Sequence, residues 1–465
     1  MAVKLYNSLS GKKEPLIPIQ DKHIKLYVCG MTVYDDCHIG HARTQVAFDV
    51  IVRYLRFLGF GVTWVRNITD VEDKIIKRAA KNNESVGDLV ARNIQSMYED
   101  FDRLNILRPD FEPRATETIA EMCQMIETLI AQGNAYRTKD GDVYYRVASF
   151  PDYGKLSKQD IQALQAGIRV EVSDLKESPL DFVLWKAAKP AEPSWDAPWG
   201  KGRPGWHIEC SAMAKKIFGD HFDIHGGGSD LRFPHHENEI AQSESANGCS
   251  FANYWLHSGM VQVNDEKMSK SLNNFFTIKT VLSEYHPEVV RFFLISGQYR
   301  SEIHYSQENL DQAKASVDRL YNAIRGLKLS DQKPEHAATY IEPFKTAMNN
   351  DFNTPEAISV LFELAKEVNK YRKNNLTEAE KYASLLSHLG QILGILWHSP
   401  ETYFTAQDDK HHDGMTNSEI EKQIAIRSEA KREKNWALAD EIRRRLSDKG
   451  ILLEDSASGT TWKRG

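Results

Sequence analysis

Residues 24–30, IKLYVCG, are an apolar run that closes on glycine, and a second run, GVTWVRNI (61–68), follows a helical stretch from about His41 to Leu58. Ala42, Val46, Phe48, Val50, Ile51, Tyr54 and Leu55 supply the apolar positions of that stretch, and Gly59 and Gly61 end it. A strand, a helix and a second strand in so short a span are the opening of a parallel sheet, because parallel strands need a crossover and a helix is the usual one. The expected fold class is α/β: a Rossmann-like parallel-sheet domain with an insertion, followed by an all-helical bundle and a small C-terminal domain.

The remaining pattern sets the expected boundaries. Residues 84–134 read as mostly helical, interrupted at RPDFEPR (108–114). VYYRV (143–147) is strand-like, and 189–205 is a loop rich in Pro, Trp and Gly. Strand signals return at HFDIHG (221–226) and YWLHSGMVQV (254–263), around a helix from Pro234 to about Asn247. Residues 280–400 are helical, TAQDDKHHDGMTNS (405–418) reads as a linker, and 418–447 reads as a helix followed by strand-like ILL (451–453). The parallel-sheet domain is therefore expected over 1–105 and 206–265, the insertion over 106–205, a loop and stem-contact region over 266–330, the bundle over 331–404 and the last unit over 419–465.

At 465 residues and 41% hydrophobic content, the chain is long enough for two to four domains of roughly 100–200 residues each. No apolar run reaches the ~18 residues of a membrane span, and the N-terminus has no apolar signal core, so a cytoplasmic protein with no membrane partner is expected. Five cysteines at 29, 37, 123, 210 and 249 are too few and too uneven for a disulfide framework, which leaves free thiols or metal ligands. A monomer is expected. The net charge of −6 does not by itself suggest a nucleic-acid binder.

Three groups of residues carry chemistry. Cys37-His38-Ile39-Gly40-His41 follows the first strand and opens the helix. A helix N-terminus offers unpaired N–H groups and a positive dipole end to phosphate, His38 and His41 can face the same side, and Gly40 lets a flat base approach the backbone. Read alone, the pair is equally an incidental couple of histidines at a helix start. Lys267-Met268-Ser269-Lys270-Ser271 lies far downstream, and its two lysines in a small polar loop make a cationic clamp for polyphosphate. Read alone, it is a solvated charged loop. The third group begins a helix at Phe233-Pro234-His235-His236-Glu237-Asn238-Glu239. His235 and Glu239, four apart, share one helix face and are suitable zinc ligands; Cys29 and Cys210 can supply thiolates. Without a close CxxC pair, His236, Glu237, His207 and Cys37 compete for the same role.

The His38–His41 motif and the Lys267–Ser271 motif, in this order on an α/β chain, resemble the class I aminoacyl-tRNA synthetases. HGGGSDLRFPHHENEIAQSES (225–245), WHIECSAM (206–213), YVCGMTVYD (27–35) and NITDVEDKII (67–76) resemble the cysteinyl-tRNA synthetase family, over nearly the whole chain and in the expected order. The resemblance implies one zinc ion per subunit, held by Cys29, Cys210, His235 and Glu239, and magnesium with ATP. It implies ATP contacts from His38, Gly40, His41, Gly226, Gly227, Gly228, Lys267 and Lys270, with His38, His41, Lys267 and Lys270 stabilising charge in catalysis. The three glycines would let the backbone approach adenosine. A cysteine pocket at Gly30, Thr69, Trp206, His225 and Asp230 is implied, with Asp230 on the ammonium; for Trp206 plain core packing is the competing reading. AMNNDFNTPEAISVLFEL (347–364) resembles the bundle that follows class I catalytic domains.

The implied activity is formation of cysteinyl-adenylate from L-cysteine and ATP, then transfer of cysteine to the 3′ end of tRNA(Cys), without a separate editing domain. Residues 421–465 carry eleven Lys/Arg against eight Asp/Glu, a local +3 that fits phosphate contact. Read from the residues alone, this is an amphipathic helix with solvated charge. By resemblance the tail reads the anticodon, through Lys431, Arg432, Trp436, Asp440, Arg443 and Trp462, with Trp436 and Trp462 stacking on unpaired bases. Two alternatives remain at this point: a ligase joining cysteine to an amino-sugar in mycothiol synthesis on the same scaffold, and a non-catalytic tRNA-binding protein with a structural zinc.

Overall fold

A computed structural model describes residues 2–159, 176–190, 192–263, 266–267, 275–406, 417–456 and 459–464. Four parallel strands form the central sheet: β1 (His23–Thr32), β2 (Gly61–Thr69), β3 (Phe222–Gly228) and β4 (Ala252–Ser258), in the order β4-β3-β1-β2. Leu26 pairs with Trp64 on one side and Ile224 on the other, and Ile224 pairs with Tyr254. Helices cover the sheet, so its strands are apolar in continuous runs: Ile24, Leu26, Tyr27 and Val28 are all fully buried.

Helix α1 (Ile39–Phe57) is the crossover between β1 and β2 and begins two residues earlier than its apolar pattern. The reason is its cap. His38 Nδ1 accepts the His41 N–H and His41 Nδ1 accepts the His38 N–H, both at 3.3 Å, a reciprocal capping box built from two histidines. Between β2 and β3 the chain runs through helix Val86–Arg103, helix Ile119–Ala131 and an antiparallel sheet of Ala135–Arg137, Val143–Tyr145, Phe182–Ala187 and Gly202–Pro204. Two helices bring the chain back to the parallel sheet, α2 (Trp206–Phe218) before β3 and α3 (Glu237–Asn247) after it. The run 254–263, read as one strand signal, is divided at Gly259: β4 ends at Ser258, and Val261–Val263 pairs in a separate sheet with Ile303–Tyr305 and Glu266–Lys267.

The helical region contains Ala338–Asn349, Thr354–Arg372 and Leu376–Ile392, and shares a core with α1 and with helix α4 (Pro287–Ile295). Asp49, at the middle of α1 and wholly buried, ties these parts together. It accepts Arg53 Nε at 2.8 Å, the Leu107 N–H at 2.8 Å and Arg291 Nη2 from α4. Arg291 also donates to Leu104, Asn105 and Leu393 carbonyls, so one guanidinium joins the sheet domain to the helical region. The terminal stretch read as one helix is two, Asn417–Arg432 and Trp436–Asp448, followed by the hairpin Ile451–Ser456 and Gly459–Arg464. Lys434 at φ 61° makes the break. This unit has its own small core of Ile420, Ile424, Ile442, Leu446, Ile451, Leu453 and Trp462.

Both Asp49 and Arg291 are fully excluded from water. Arg291→Met is therefore expected to lower stability by about 3–5 kcal/mol, because it leaves the buried Asp49 carboxylate with Arg53 alone as counter-charge and takes the donor from the Leu104, Asn105 and Leu393 carbonyls. Denaturant unfolding followed by near-UV circular dichroism checks this, and an unchanged first transition contradicts it.

Candidate active site and metal centre

The C-terminal ends of β1, β3 and β4 converge on one cavity of about 290 Å³, at the edge where open parallel sheets gather ligands. Cys29 and Gly30 enter it from β1, His38, Gly40 and His41 from the start of α1, and Trp206, Gly228 and Asp230 from the returning chain. At its inner end Cys29, Cys210, His235 and Glu239 bring one ligand atom each to within 4.8 Å of one another. The two sulfurs are 3.8 Å apart, Cys29 Sγ is 3.6 Å from Glu239 Oε1, and His235 Nε2 is 3.1 Å from the same oxygen. His235 stands in an irregular turn, Arg232–His236, just before α3, yet the four-residue spacing still aims it at Glu239.

All four groups are buried, and burial drives each toward its neutral form: the Cys29, Cys210 and Glu239 acids are pushed up and the His235 imidazole down. A divalent cation reverses that logic, and two thiolates, an imidazole and a carboxylate are a zinc donor set. Supports stand behind the ligands. His207 Nδ1 is 2.9 Å from His235 Nδ1, the Trp206 ring stacks on His235 at 4.2 Å, and His225 Nε2 is 2.9 Å from Glu239 Oε2.

A second set, Cys29, His225, His236 and Glu239, meets the same distance criterion. It shares Cys29 and Glu239 with the first: His236 Nε2 is 3.3 Å from Cys29 Sγ, with its Nδ1 2.9 Å from His257 Nε2, and His225 stacks on Trp255 at 4.4 Å. The first set alone brings in Cys210, the second thiol. The other competitors are placed elsewhere. Glu237 accepts backbone N–H groups from Gly154, Leu156 and Ser157, and the Cys37 thiol lies 3.6 Å from Met31 sulfur.

Three sequence expectations need correction. Gly226 and Gly227 do not open the backbone to a nucleotide: an added Cβ would sit 2.3 Å from the Phe48 ring and 2.9 Å from the His236 ring, so these glycines serve packing. Only Gly228 of the three lines the cavity. Thr69 and His225 lie behind the cavity wall, Thr69 donating to Glu209 Oε2 at 2.6 Å. Trp462 is not available to stack on bases, since it is 4% exposed in the terminal core and its indole N–H donates to Glu421. Trp436, by contrast, is 60% exposed, and Lys431 pairs with Asp455 while Arg432 pairs with Glu429. Arg443 and Asp440 are exposed.

Gly30 must be glycine, because a Cβ there would meet the Asn67 carbonyl at 1.7 Å. Trp206 is 37% exposed, a cavity wall and not a core residue. Lys267 lies on the strand Glu266–Lys267; its side chain, and all of Lys270, fall outside the described residues. The chain just beyond them is stitched to the His38 turn. Ile39 N–H donates to the Phe276 carbonyl at 3.1 Å and Ile278 N–H to the Cys37 carbonyl at 2.9 Å. Residue-level reading missed Tyr34, Thr44, Lys74 and Ser258, which also line the cavity. Lys74 carried one signal: it opens a helix directly after the C-terminal end of β2.

The family profile described as tRNA synthetases class I (C) catalytic domain matches residues 15–315, and the DALR domain profile matches 343–397. Cysteine–tRNA ligases of Francisella philomiragia and Francisella tularensis subsp. novicida are each 64% identical over 461 residues, 99% of this chain and 99% of theirs. The chain belongs to the cysteine–tRNA ligase family. Its fold is also that of the Mycobacterium tuberculosis methionyl-tRNA synthetase solved with methionyl-adenylate, at TM-score 0.55 and 15% identity, covering 80% of this chain and 89% of that one. No described helix is long and apolar enough to cross a membrane.

Cys210 belongs to one ligand set only. Cys210→Ser is expected to abolish metal retention after dialysis, read by elemental analysis, and His207→Asn to weaken metal affinity about 10–100-fold through loss of its support to His235. A Cys210→Ser protein that keeps a full equivalent of metal refutes this ligand assignment.

Proposed function

We propose that this chain activates L-cysteine with ATP and transfers it to tRNA(Cys), with zinc at Cys29, Cys210, His235 and Glu239 selecting the substrate thiol. The observation that carries this reading is the convergence of a two-cysteine cluster able to hold a metal and a histidine-capped helix N-terminus on one cavity, in a chain of the cysteine–tRNA ligase family. Bound zinc would supply affinity for a thiolate, a form that cysteine reaches and serine, with its far less acidic hydroxyl, does not.

The chain's own residues account for the rest. Asp230, on the cavity wall, pairs with the substrate ammonium, and Trp206 and Gly30 bound the space for its backbone. The substrate carboxylate attacks the α-phosphorus of ATP, the bond to the β-phosphate breaks, and pyrophosphate leaves with its magnesium. His38 and His41 line the same cavity. Because each uses Nδ1 to accept a backbone N–H, the neutral ring carries its proton on Nε2 and presents a donor to phosphate oxygen. Lys267 and Lys270 add positive charge to these donors in this reading, and Gly40 and Gly228 leave room for the nucleotide. A ribose hydroxyl at the tRNA 3′ end then attacks the adenylate carbonyl and AMP leaves. No protein nucleophile is needed, since positioning and charge stabilisation carry the reaction. The exposed Trp436, with Arg443 and Lys431, is offered as anticodon contact surface. The protein is proposed to work as a cytoplasmic monomer.

Purified protein is expected to show cysteine-dependent ATP–pyrophosphate exchange, to prefer cysteine over serine by more than the about 10–200-fold that an apolar pocket gives for one small group, and to lose the exchange with a strong chelator. Equal use of serine, or no exchange by folded, metal-loaded protein, overturns the reading.

A further inference from the structure

Arg43 stands two residues after His41, in the first turns of α1. It is 1% exposed. Its guanidinium donates to the Leu294 carbonyl, to the Gln298 carbonyl at 2.8 Å and to the Ser301 carbonyl at 3.1 Å. Leu294 is in the last turn of α4 and the other two lie on the chain that leaves it, and the Arg43 Nε has no partner. A buried cation held by carbonyls alone is costly unless its position matters.

The same turn is gripped from the other side by Asp351, which sits between helices Ala338–Asn349 and Thr354–Arg372. Its carboxylate, wholly buried, accepts the Tyr6 N–H at 2.8 Å, Gln298 Nε2 at 3.2 Å, the Tyr299 hydroxyl at 3.1 Å and Arg300 Nε at 2.8 Å. Asp351 and Phe352 both take left-handed backbone, at φ 65° and 52°, which such residues hold only where their surroundings enforce it. Gln298 is the shared member: its carbonyl accepts Arg43 while its amide donates to Asp351. The turn also meets the cavity wall, since Gly259 N–H donates to the Tyr299 carbonyl at 2.8 Å and a Cβ on Gly259 would strike the Ser301 carbonyl at 2.2 Å.

We propose that Arg43, Gln298 and Asp351 are positioning residues for adenylate formation, through which the helical region sets the place of the His38–His41 turn over the nucleotide. None of the three lines the cavity, so they act through the turn and not on substrate. The inference rests on the reading of that turn as the ATP site. A lysine at 43 keeps the charge but cannot reach three carbonyls with one ammonium.

The test is a double-mutant cycle on the full-length, metal-loaded enzyme with Arg43→Lys and Asp351→Asn, read as kcat/KM for ATP in pyrophosphate exchange. Each single variant is expected to lose about tenfold, within the range that a small misplacement of catalytic groups costs. The double variant is expected to be no worse than the weaker single, with KM for cysteine and metal content unchanged. Should Asp351→Asn fail to fold, Gln298→Ala takes its place in the cycle. Losses that multiply, a wild-type rate in Arg43→Lys, or a parallel rise in KM for cysteine each overturn the inference. Absence of exchange in the wild-type enzyme would instead sink the nucleotide reading beneath it.

Discussion

Glu239 carries a carboxyl group with no exposure to water, and its described partners are Cys29, His225, His235 and, at 4.0 Å, His236. None of these is a permanent cation, so burial favours the neutral acid, and a bound positive charge is what would hold the group as a carboxylate. Meeting that condition dictates much of the surrounding architecture. Cys29 arrives from the end of β1, Cys210 from the first turns of α2, and His235 and Glu239 from the turn into α3. The register of β1 against β3 and the seating of both helices must be right together for four atoms to fall within 4.8 Å. The fully buried partners around them, Ser211 and Gln242 among them, fix the α2–α3 contact further: Gln242 donates to Ser211 at 2.9 Å and to the His207 carbonyl at 2.8 Å.

The nucleotide end is built on a different principle. Backbone hydrogen bonds hold the His38 turn between the helix it caps and the segment 275–278. The His38 and His41 rings stack at 3.6 Å, and the edge of Phe275 meets His38 at 5.1 Å. A turn held by main-chain bonds on both sides keeps its side chains in place at low entropic cost, which is what preorganised charge stabilisation requires. The His38 turn is thereby paired to residues 276–278, which are more than 230 positions away in sequence.

The parallel sheet was legible because its strands are buried on both faces and read as unbroken apolar runs, as at 24–30 and 61–68. The helix break at Lys434 was not, because no Gly or Pro marks it and a positive φ at lysine leaves no pattern. At the site, residue types and the spacing of His235 and Glu239 pointed to a metal, but choosing Cys210 over His207 or His236 takes three-dimensional register. Gly226 and Gly227 show the opposite failure. A glycine run beside a nucleotide motif suggests backbone access, while Phe48 and His236, distant in sequence, impose the same residue for lack of room. Trp462 was misread for a related reason: an aromatic in a basic tail looks like a stacking platform until the tail proves to have a core of its own.

Selection by a metal also shapes what the cavity need not do. A pocket that recognises its substrate by size must be tight on every side, and for a one-atom difference even a tight pocket separates substrates by only about 10–200-fold. Here the discriminating contact would lie at one end, among Cys29, Cys210, His235 and Glu239, while the same cavity of about 290 Å³ runs on to His38, His41 and Gly228. Its middle is bounded by Trp206, which is 37% exposed and stacked on the ligand His235. With zinc bound as proposed, a wall that rests on His235 would couple the metal centre to the space where the carboxylate and the α-phosphate would meet. A substrate that fails to engage the metal would then be disfavoured in position as well as in affinity, so discrimination acts on the same adenylation step that the histidine turn accelerates.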